Sequence, residues 1–344
     1  MKNSHLQYLI AGGGAGLGLA AVLLTRKWRR DADIRGHVVL ITGGSRGLGY
    51  ALAREFGRCD CRVAICARST DQLARAQSLL EGQGIPAFAV TCDVSDASQV
   101  EAMIREVRAH YGQIDILVNN AGEILVAPFE NTTIADFEKA MAVMFWGVLY
   151  PTLAVLPEMR SRRKGRIAAI TSIGGKVSVP HLLAYSCAKF AAVAFFEGLR
   201  AEMVPYGIKV TTIAPGLMRT GSHVNAHFKG DHEQEAAWFS TAASAPLISM
   251  SAERAAAQAV KAIRRGSSEK IVSTQANLVA RVQGAFPGLV PDVLGLVNRI
   301  LPAPTQDEAT EKRGIDLARH QGRLLDLLTV MGRRAGARLN QPTV

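Results

Sequence analysis

The sequence predicts an α/β fold, a doubly wound parallel sheet with helices on both faces. Three observations predict it. Short β-branched apolar runs alternate with amphipathic helical patterns from Gly36 to Gly216. The first run, Val38 to Ile41, opens into Thr42-Gly43-Gly44-Ser45-Arg46-Gly47-Leu48-Gly49. From there Leu48, Leu52, Ala53 and Phe56 line one face of a helix. The fourth run ends in a second set of small and amide residues, Asn119-Asn120-Ala121-Gly122. Strand, glycine turn and helix together make a phosphate cradle. The glycines let the backbone approach a pyrophosphate, and the helix N-terminus offers free N–H groups and partial positive charge. The spacing Gly-x-x-x-Gly-x-Gly is not the dinucleotide fingerprint Gly-x-Gly-x-x-Gly, and by itself it also suits an ordinary β–α turn.

The 344 residues suit one α/β domain with extensions as well as two domains. The hydrophobic content of 48% is enough for a large core. The net charge is +11, with much of it in arginines near both ends, and no zinc-finger or RNA-binding signature accompanies it. A nucleic-acid partner is therefore not expected. Cys59, Cys61, Cys66, Cys92 and Cys187 are odd in number and fall mostly in predicted elements, which suits buried thiols in a reduced compartment. Cys59-x-Cys61 has no neighbouring metal ligands, so no metal is expected.

Tyr8 to Leu24 is uncharged and mostly apolar, and Arg26, Lys27, Arg29 and Arg30 follow at once. The stretch is at the short end of the roughly 17–25 residues that span a bilayer. Gly12/Gly16 and Gly14/Gly18 give it a small-residue helix-packing pattern. A signal peptide would carry its basic cluster before the apolar run. Residues 1–30 are thus expected to be an N-terminal apolar helix with a basic flank, anchoring the chain in a membrane. The positive-inside rule places the remainder on the cytoplasmic side.

After the first helix, Cys61 to Cys66 forms a second strand ending in Ala67-Arg68-Ser69. An acid near this strand end would bond the adenosine ribose hydroxyls. Here the position lacks an acid and has Arg68 beside it, while Arg46 lies in the glycine turn. Two guanidinium groups suit a 2′-phosphate, so NADP(H) is favoured over NAD(H). Ser69 or Thr70 caps a helix over Asp71 to Leu80. Ala87 to Thr91 is the third strand, followed by Cys92-Asp93-Val94 and a helix around Val100 to Tyr111. Ile114 to Val118 is the fourth strand. Arg166 to Thr171 ends at Ser172, and Tyr185-Ser186-Cys187-Ala188-Lys189 follows, placing Tyr185 and Lys189 on one helical face. Lys209 to Ile213 leads to Pro215-Gly216-Leu217-Met218-Arg219-Thr220.

The glycine turn, Asn119-Asn120-Ala121-Gly122, a serine, Tyr-x-x-x-Lys and a Pro-Gly turn occur here in one order. In that order they resemble the short-chain dehydrogenase/reductase family over about residues 35–220. The resemblance implies a Rossmann-type domain, set at residues 31–275, and the less familiar remainder, 276–344, reads as a helical C-terminal extension with a basic tail. The resemblance also implies that Thr42, Gly43, Ser45, Arg46, Gly47, Leu48, Gly49, Arg68, Asp93, Val94, Asn119, Ala121, Gly122, Pro215, Gly216 and Thr220 hold the cofactor. Asp93 would meet the adenine, although it also suits a helix-preceding cap. Thr220 would meet the nicotinamide carboxamide.

The reaction implied is hydride transfer between nicotinamide and a small-molecule carbonyl or alcohol. A phenol is a poor base at neutral pH, and a nearby ammonium lowers its pKa. Tyr185 is thus the expected general acid/base, Lys189 its tuner and ribose ligand, and Ser172 the holder of the substrate oxygen. Met144 stands where the family usually has an asparagine that holds a relay water. Methionine cannot donate a hydrogen bond. Either an enzyme with a different water route or a weak or inactive nucleotide-binding scaffold satisfies that departure.

Residues 217–250 form the expected substrate loop, with His223, His227, Phe228, Trp238 and Phe239 as pocket or packing residues. Ala252 to Arg265 reads as a helix and Lys270 to Val272 as a last strand. Val279 to Leu301 is apolar but broken by Pro287 and Pro291, which argues against a second spanning helix. It is expected on the membrane, over the pocket mouth, in the core or in a dimer contact. A homodimer or homotetramer is an assembly open to the chain. Asp307 to Met331 is amphipathic, and Met331 to Val344 reads as a basic, mobile tail. A lipophilic substrate is expected of a reductase tethered to a bilayer.

Overall fold

Val38–Thr42 (β1) is buried along its whole length, as a strand covered on both faces must be. It lies within a seven-stranded sheet with Arg62–Ala67 (β2), Ala87–Thr91 (β3), Ile116–Asn119 (β4), Arg166–Ile170 (β5), Lys209–Pro215 (β6) and Glu269–Val272 (β7). The order is β7-β6-β5-β4-β1-β2-β3, and every pairing is parallel. The chain winds outward from β1 to β3, then returns to β4 and winds the other way. The reversal falls between β1 and β4, which places the ligand crevice of an open α/β sheet at their carboxyl ends. This computed structural model describes residues 31–245, 248–306, 310–318 and 323–342. The apolar N-terminal segment expected within residues 1–30 lies outside them.

The helices are Gly47–Gly57 (α1), Thr70–Glu81 (α2), Ala97–Tyr111 (α3), Ile134–Met141 (α4), Gly147–Ser161 (α5), Leu183–Met203 (α6), His232–Ser244 (α7) and Ala252–Arg265 (α8). Of the two candidate caps for α2, Ser69 is the one used, accepting from the Gln72 amide. Asp96, not Asp93, caps α3. Val100, Ile104 and Val107 of α3, Val148 and Val155 of α5 and Phe196 of α6 close over the sheet in the main core. Between α4 and α5 the backbone forms a π-helical turn, Ala142–Trp146, that carries Met144. Among the described residues only Ile134–Ser161 is long and apolar enough to cross a membrane, with mean hydropathy 1.6. Its Val148, Val155, Leu156 and Met159 are buried in the domain core, so it is a core helix here.

The substrate loop contributes a second, smaller core. Phe228 and Phe239 pack there with Val126, Ala226, Ala236 and Leu317. Thr274–Ala285 (α9) and Leu289–Asn298 (α10) break at the expected proline and leave Leu278, Phe286, Leu289, Leu296 and Ile300 exposed. Gly314–Ala318 (α11) and Arg323–Arg338 (α12) complete the extension.

The expectation of a mobile tail from Met331 is overturned. Helix α12 continues to Arg338, and Leu339, Asn340 and Gln341 are buried. Gly332 and Gly336 explain how a basic helix docks so closely. A methyl group on Gly336 would touch the Gly221 Cα at 3.4 Å, and one on Gly332 would collide with the Ser244 hydroxyl. The described residues from Ile34 onward form one compact unit.

Candidate active site

The turn after β1 needs its glycines. Gly47 takes φ +58, a left-handed conformation that costs a side chain free energy. A Cβ on Gly49 would run into the Gly43 carbonyl and lie 2.6 Å from the Asn120 amide nitrogen. The crossing strand therefore sits directly on the turn. Thr42 Oγ1 accepts from the Asn120 and Ala121 amides at 2.9 and 3.1 Å. The Asn120 side chain donates to the Thr42 and Gly43 carbonyls at 3.0 and 3.1 Å. Asn120 is thus the stitch between β1 and β4. Asn119 is buried on the other side, donating to Thr152 Oγ1 at 3.0 Å. The Asn-Asn pair alone does not say which amide faces the turn. Strand alternation does, since neighbouring side chains point to opposite faces.

The carboxyl ends of the strands gather most of the other predicted residues. Val94 is buried against Gly147 at the π-helical turn. Asp93 bonds locally, accepting from the Ser95 amide and hydroxyl at 3.0 and 2.7 Å. Pro215 ends β6, the Gly216 amide donates to the Val272 carbonyl at 3.1 Å, and Thr220 is buried one loop further on.

Arg46 and Arg68 lie on the β1–β2 side as expected, but each already has partners. Arg46 donates to the Gln72 side chain at 2.9 Å, and Arg68 pairs with Glu123 at 3.2 Å. Burial lowers the Arg46 pKa, and Arg313 and Arg68 lower it further, while Glu123 opposes them. The two arginines therefore share one electrostatic field with Arg313, a residue far away in sequence. Glu123 also bonds Lys139 at 2.8 Å. Burial acts to raise its pKa, but Lys139, His227 and Arg68 together hold it below the usual carboxylate value.

The reactive end is built by β5 and α6. Ser172 follows β5, and its hydroxyl accepts from the Gly174 amide at 3.0 Å. Tyr185 and Lys189 lie one turn apart on α6, and the Lys189 ammonium is 5.7 Å from the Tyr185 ring centroid. Lys189 is buried and donates to the Ile170 carbonyl at 3.1 Å. Burial lowers its pKa to about 8. Burial raises the Tyr185 pKa, and a hydrogen bond with Ser172 pulls the other way. The expected lowering by Lys189 is not what dominates here, because taking the phenolate out of water costs more than the ammonium returns at this distance. Met144 is buried beside Tyr185, next to Ala140, Ala184 and Ala188. A cavity of about 20 Å³ adjoins both, lined also by Glu123, Asp136, Lys139 and Glu311. That is room for a single water with polar partners.

The glycine floor, which a Cβ would fill, and the helix N-terminus after it fit a dinucleotide's phosphates. One further group meets this cradle. The Gly47 amide donates to the Leu339 carbonyl at 2.8 Å. Sequence spacing could not place a residue so distant in the chain at the glycine turn.

A short chain dehydrogenase profile matches residues 37–229, more than half the chain. A "Dehydrogenase/reductase SDR family protein 7-like" from Anopheles gambiae is 39% identical over 216 residues, 61% of this chain and 68% of that one. The chain spans about two thirds of the length of the curated relatives it matches. A crystal structure of a short-chain dehydrogenase from Streptomyces avermitilis superposes with TM-score 0.65 at 29% identity, covering 77% of this chain and 97% of that one. A variant of actinorhodin polyketide ketoreductase crystallised with NADPH gives TM-score 0.60 at 27% identity, covering 70% and 95%. With the cradle, the parallel sheet and the Ser172, Tyr185 and Lys189 cluster at its switch point, these likenesses place the chain in the short-chain dehydrogenase/reductase family of NAD(P)-dependent oxidoreductases.

Proposed function

We propose that this protein is an NADP(H)-dependent reductase or dehydrogenase acting on a lipophilic carbonyl compound or secondary alcohol. The observation that carries the reading is the reactive cluster. Ser172, Tyr185 and Lys189 converge beside Gly122, at the carboxyl ends of β4 and β5. The bound nicotinamide cofactor supplies or accepts the hydride. The phosphate cradle of Thr42, Gly43, Ser45, Gly47, Leu48 and Gly49 would hold it, with Val94, Asn119, Ala121, Gly122, Pro215, Gly216 and Thr220 along the cleft.

Tyr185 donates its proton to the substrate oxygen in reduction and takes it back in oxidation. Its raised pKa keeps the phenol protonated at neutral pH, which suits reduction. Ser172 holds the same oxygen and stabilises the charge that develops on it. Lys189, charged below about pH 8, supports that charge and would bond the nicotinamide ribose of the bound cofactor. Met144 offers no relay, and the small cavity beside it, lined in part by Glu123, Asp136, Lys139 and Glu311, supports a different water route.

Arg46 and Arg68 support NADP(H), as does the ketoreductase crystallised with NADPH. Arg68 would exchange Glu123 for the 2′-phosphate. Residues 1–30 support a membrane anchor with the domain, residues 31–275, on the cytoplasmic side. The exposed apolar side chains of α9 and α10 support a lipid surface as the source of substrate.

The test is turnover by purified full-length protein on a panel of short, long-chain and polycyclic ketones and alcohols, each with NADPH and NADH. Rapid turnover of long-chain or polycyclic ketones with NADPH is the expected result. NADPH binding with no turnover across the panel would favour the second reading, a nucleotide-binding scaffold, which buried Met144 recommends. Recovery of the full-length chain wholly in the soluble fraction after lysis would remove the anchor and the lipid argument with it.

A further inference from the structure

The C-terminal residues make a set of bonds that the proposed reaction does not use. At the end of α12, Asn340 takes a left-handed conformation with φ +55 and turns the chain into the cleft. The Leu339 carbonyl accepts from the Gly47 amide at 2.8 Å. The Asn340 side chain donates to the Ser45 carbonyl at 2.7 Å and to the Gln72 carbonyl at 3.1 Å. The Gln341 side chain donates to the Thr220 carbonyl at 3.0 Å and accepts from Asn225 at 2.6 Å. All three residues are buried.

These bonds span the crevice. Ser45 and Gly47 belong to the turn after β1, while Thr220 and Asn225 belong to the loop after β6. A dinucleotide lying across the carboxyl ends of the strands must run between those two walls. Gly47 is the first residue of α1, so its amide is one of the unpaired donors that a helix N-terminus offers a phosphate. That amide has one hydrogen. The Leu339 carbonyl oxygen occupies it as a phosphate oxygen would.

The contact is also built into the surrounding packing. Gly336 lies against Gly221 so closely that a Cβ on Gly221 would stand 2.5 Å from its Cα. Ala335 and Thr329 are buried along the same helix. The segment Leu339 to Gln341 is uncharged, so it satisfies the donors of the cradle without adding to the arginine field around Arg46.

We propose that Leu339 to Gln341 is a built-in ligand of the phosphate cradle and competes with the nicotinamide dinucleotide for it. The inference rests on the reading of the cradle as the cofactor site. The cofactor then binds only the fraction of molecules whose tail has left. If the tail is docked about nine-tenths of the time, apparent affinity falls about tenfold. Anything that holds α12 elsewhere would open the enzyme.

The experiment titrates NADPH, by the change in its fluorescence, into the full chain, into a chain ending at Arg338, and into N340A. Hydrogen exchange of residues 43–49 is followed in the same three proteins without cofactor. The expected result is about tenfold tighter NADPH binding by the shortened chain and a smaller gain for N340A. Faster exchange at residues 43–49 should accompany both. In the full chain, NADPH should speed exchange at residues 339–342. Equal or weaker binding by both variants would overturn the proposal while leaving the cofactor site intact. If no form of the protein binds NADPH or NADH, the reading of the cradle fails and the competition falls with it.

Discussion

At the reactive end of the crevice, Ser172, Tyr185 and Lys189 come from one strand end and the helix that follows it. Their mutual bonds stay within residues 170–189, and their packing adds Gly122 and the Ala140 to Met144 segment. At the adenosine end, the glycine turn bonds Gln72, Asn120 and the Leu339–Asn340 segment, and the charges of Glu123 and Arg313 act on its Arg46. The first region is set by short-range geometry and burial. The second is set by charge and by a competing backbone acceptor. A change at the reactive end should therefore act on rate, and a change at the adenosine end should act on affinity and on the choice between cofactors.

The largest break should come from Y185F. The ring still packs and only the hydroxyl is lost, so turnover should fall on the order of 10²–10⁴-fold, the typical contribution of a positioned acid/base. NADPH affinity should hardly move. Steady-state rates on the best ketone and a binding titration on the same preparation check this. A variant that kept most of its activity would mean that the proton comes from elsewhere.

Next comes pH, which reads Lys189. Its folded pKa of about 8 lies below the ordinary 10.5. Above pH 8 the folded protein has lost this proton, while the unfolded chain keeps it to about 10.4. The unfolded state then binds more protons, so this group's contribution to stability rises with pH across that window. Reduction should do the opposite, holding steady to about pH 7.5 and then falling through 8 as the ammonium is lost. The pH–rate profile and denaturant unfolding at pH 7 and pH 9.5 test the pair. K189M should abolish this component of the stability change, and a wild-type rate that is flat through pH 9 would remove Lys189 from the proton chemistry.

A smaller effect should separate the two cofactors. R68A should weaken NADPH binding more than NADH binding, since a charge-assisted hydrogen bond contributes about 1.5–3 kcal/mol. Arg68 is exposed and already paired with Glu123, so the low end of that range applies. E123Q should sharpen the contrast by freeing Arg68, raising the preference for NADPH over NADH. Losses of equal size for both cofactors would show that the arginine does not read the 2′-phosphate.

How much of this was legible follows the same division. β1, the glycine turn and the Tyr185/Lys189 face could be read because strand burial and helical periodicity act over a few residues. Helix α8 is legible over Ala252 to Arg265, and the structure caps it with Ser251 and Gly266. The tail was misread. Its arginines suggest a solvated end, and nothing local reveals that Gly332 and Gly336 meet Ser244 and Gly221. The partners of Arg46 and Arg68 were illegible for the same reason, because Gln72 and Glu123 become neighbours only when the sheet is assembled. Asn120 belongs to a legible motif, but its bonds to Thr42 and Gly43 follow only from the register of β1 against β4.

The smallest expected change is at Met144, which belongs to the reactive end. Its side chain is buried in the π-helical turn and lies near the Gly122 backbone and Tyr185. M144N would introduce a donor and an acceptor beside a cavity already large enough for one water. If a missing relay limits the rate, the variant should turn over at least as fast as wild type, with a gain of a few-fold at most, because the acid itself is unchanged. The cost is stability. Burying an amide where a thioether packed against alanines leaves polar atoms to satisfy, at about 1–3 kcal/mol if they find no partner. Rate per folded molecule is therefore the quantity to measure, with unfolding followed on the same sample. A large fall in that rate with the fold intact would show that the methionine is fitted to this pocket and that proton supply runs past it by another path.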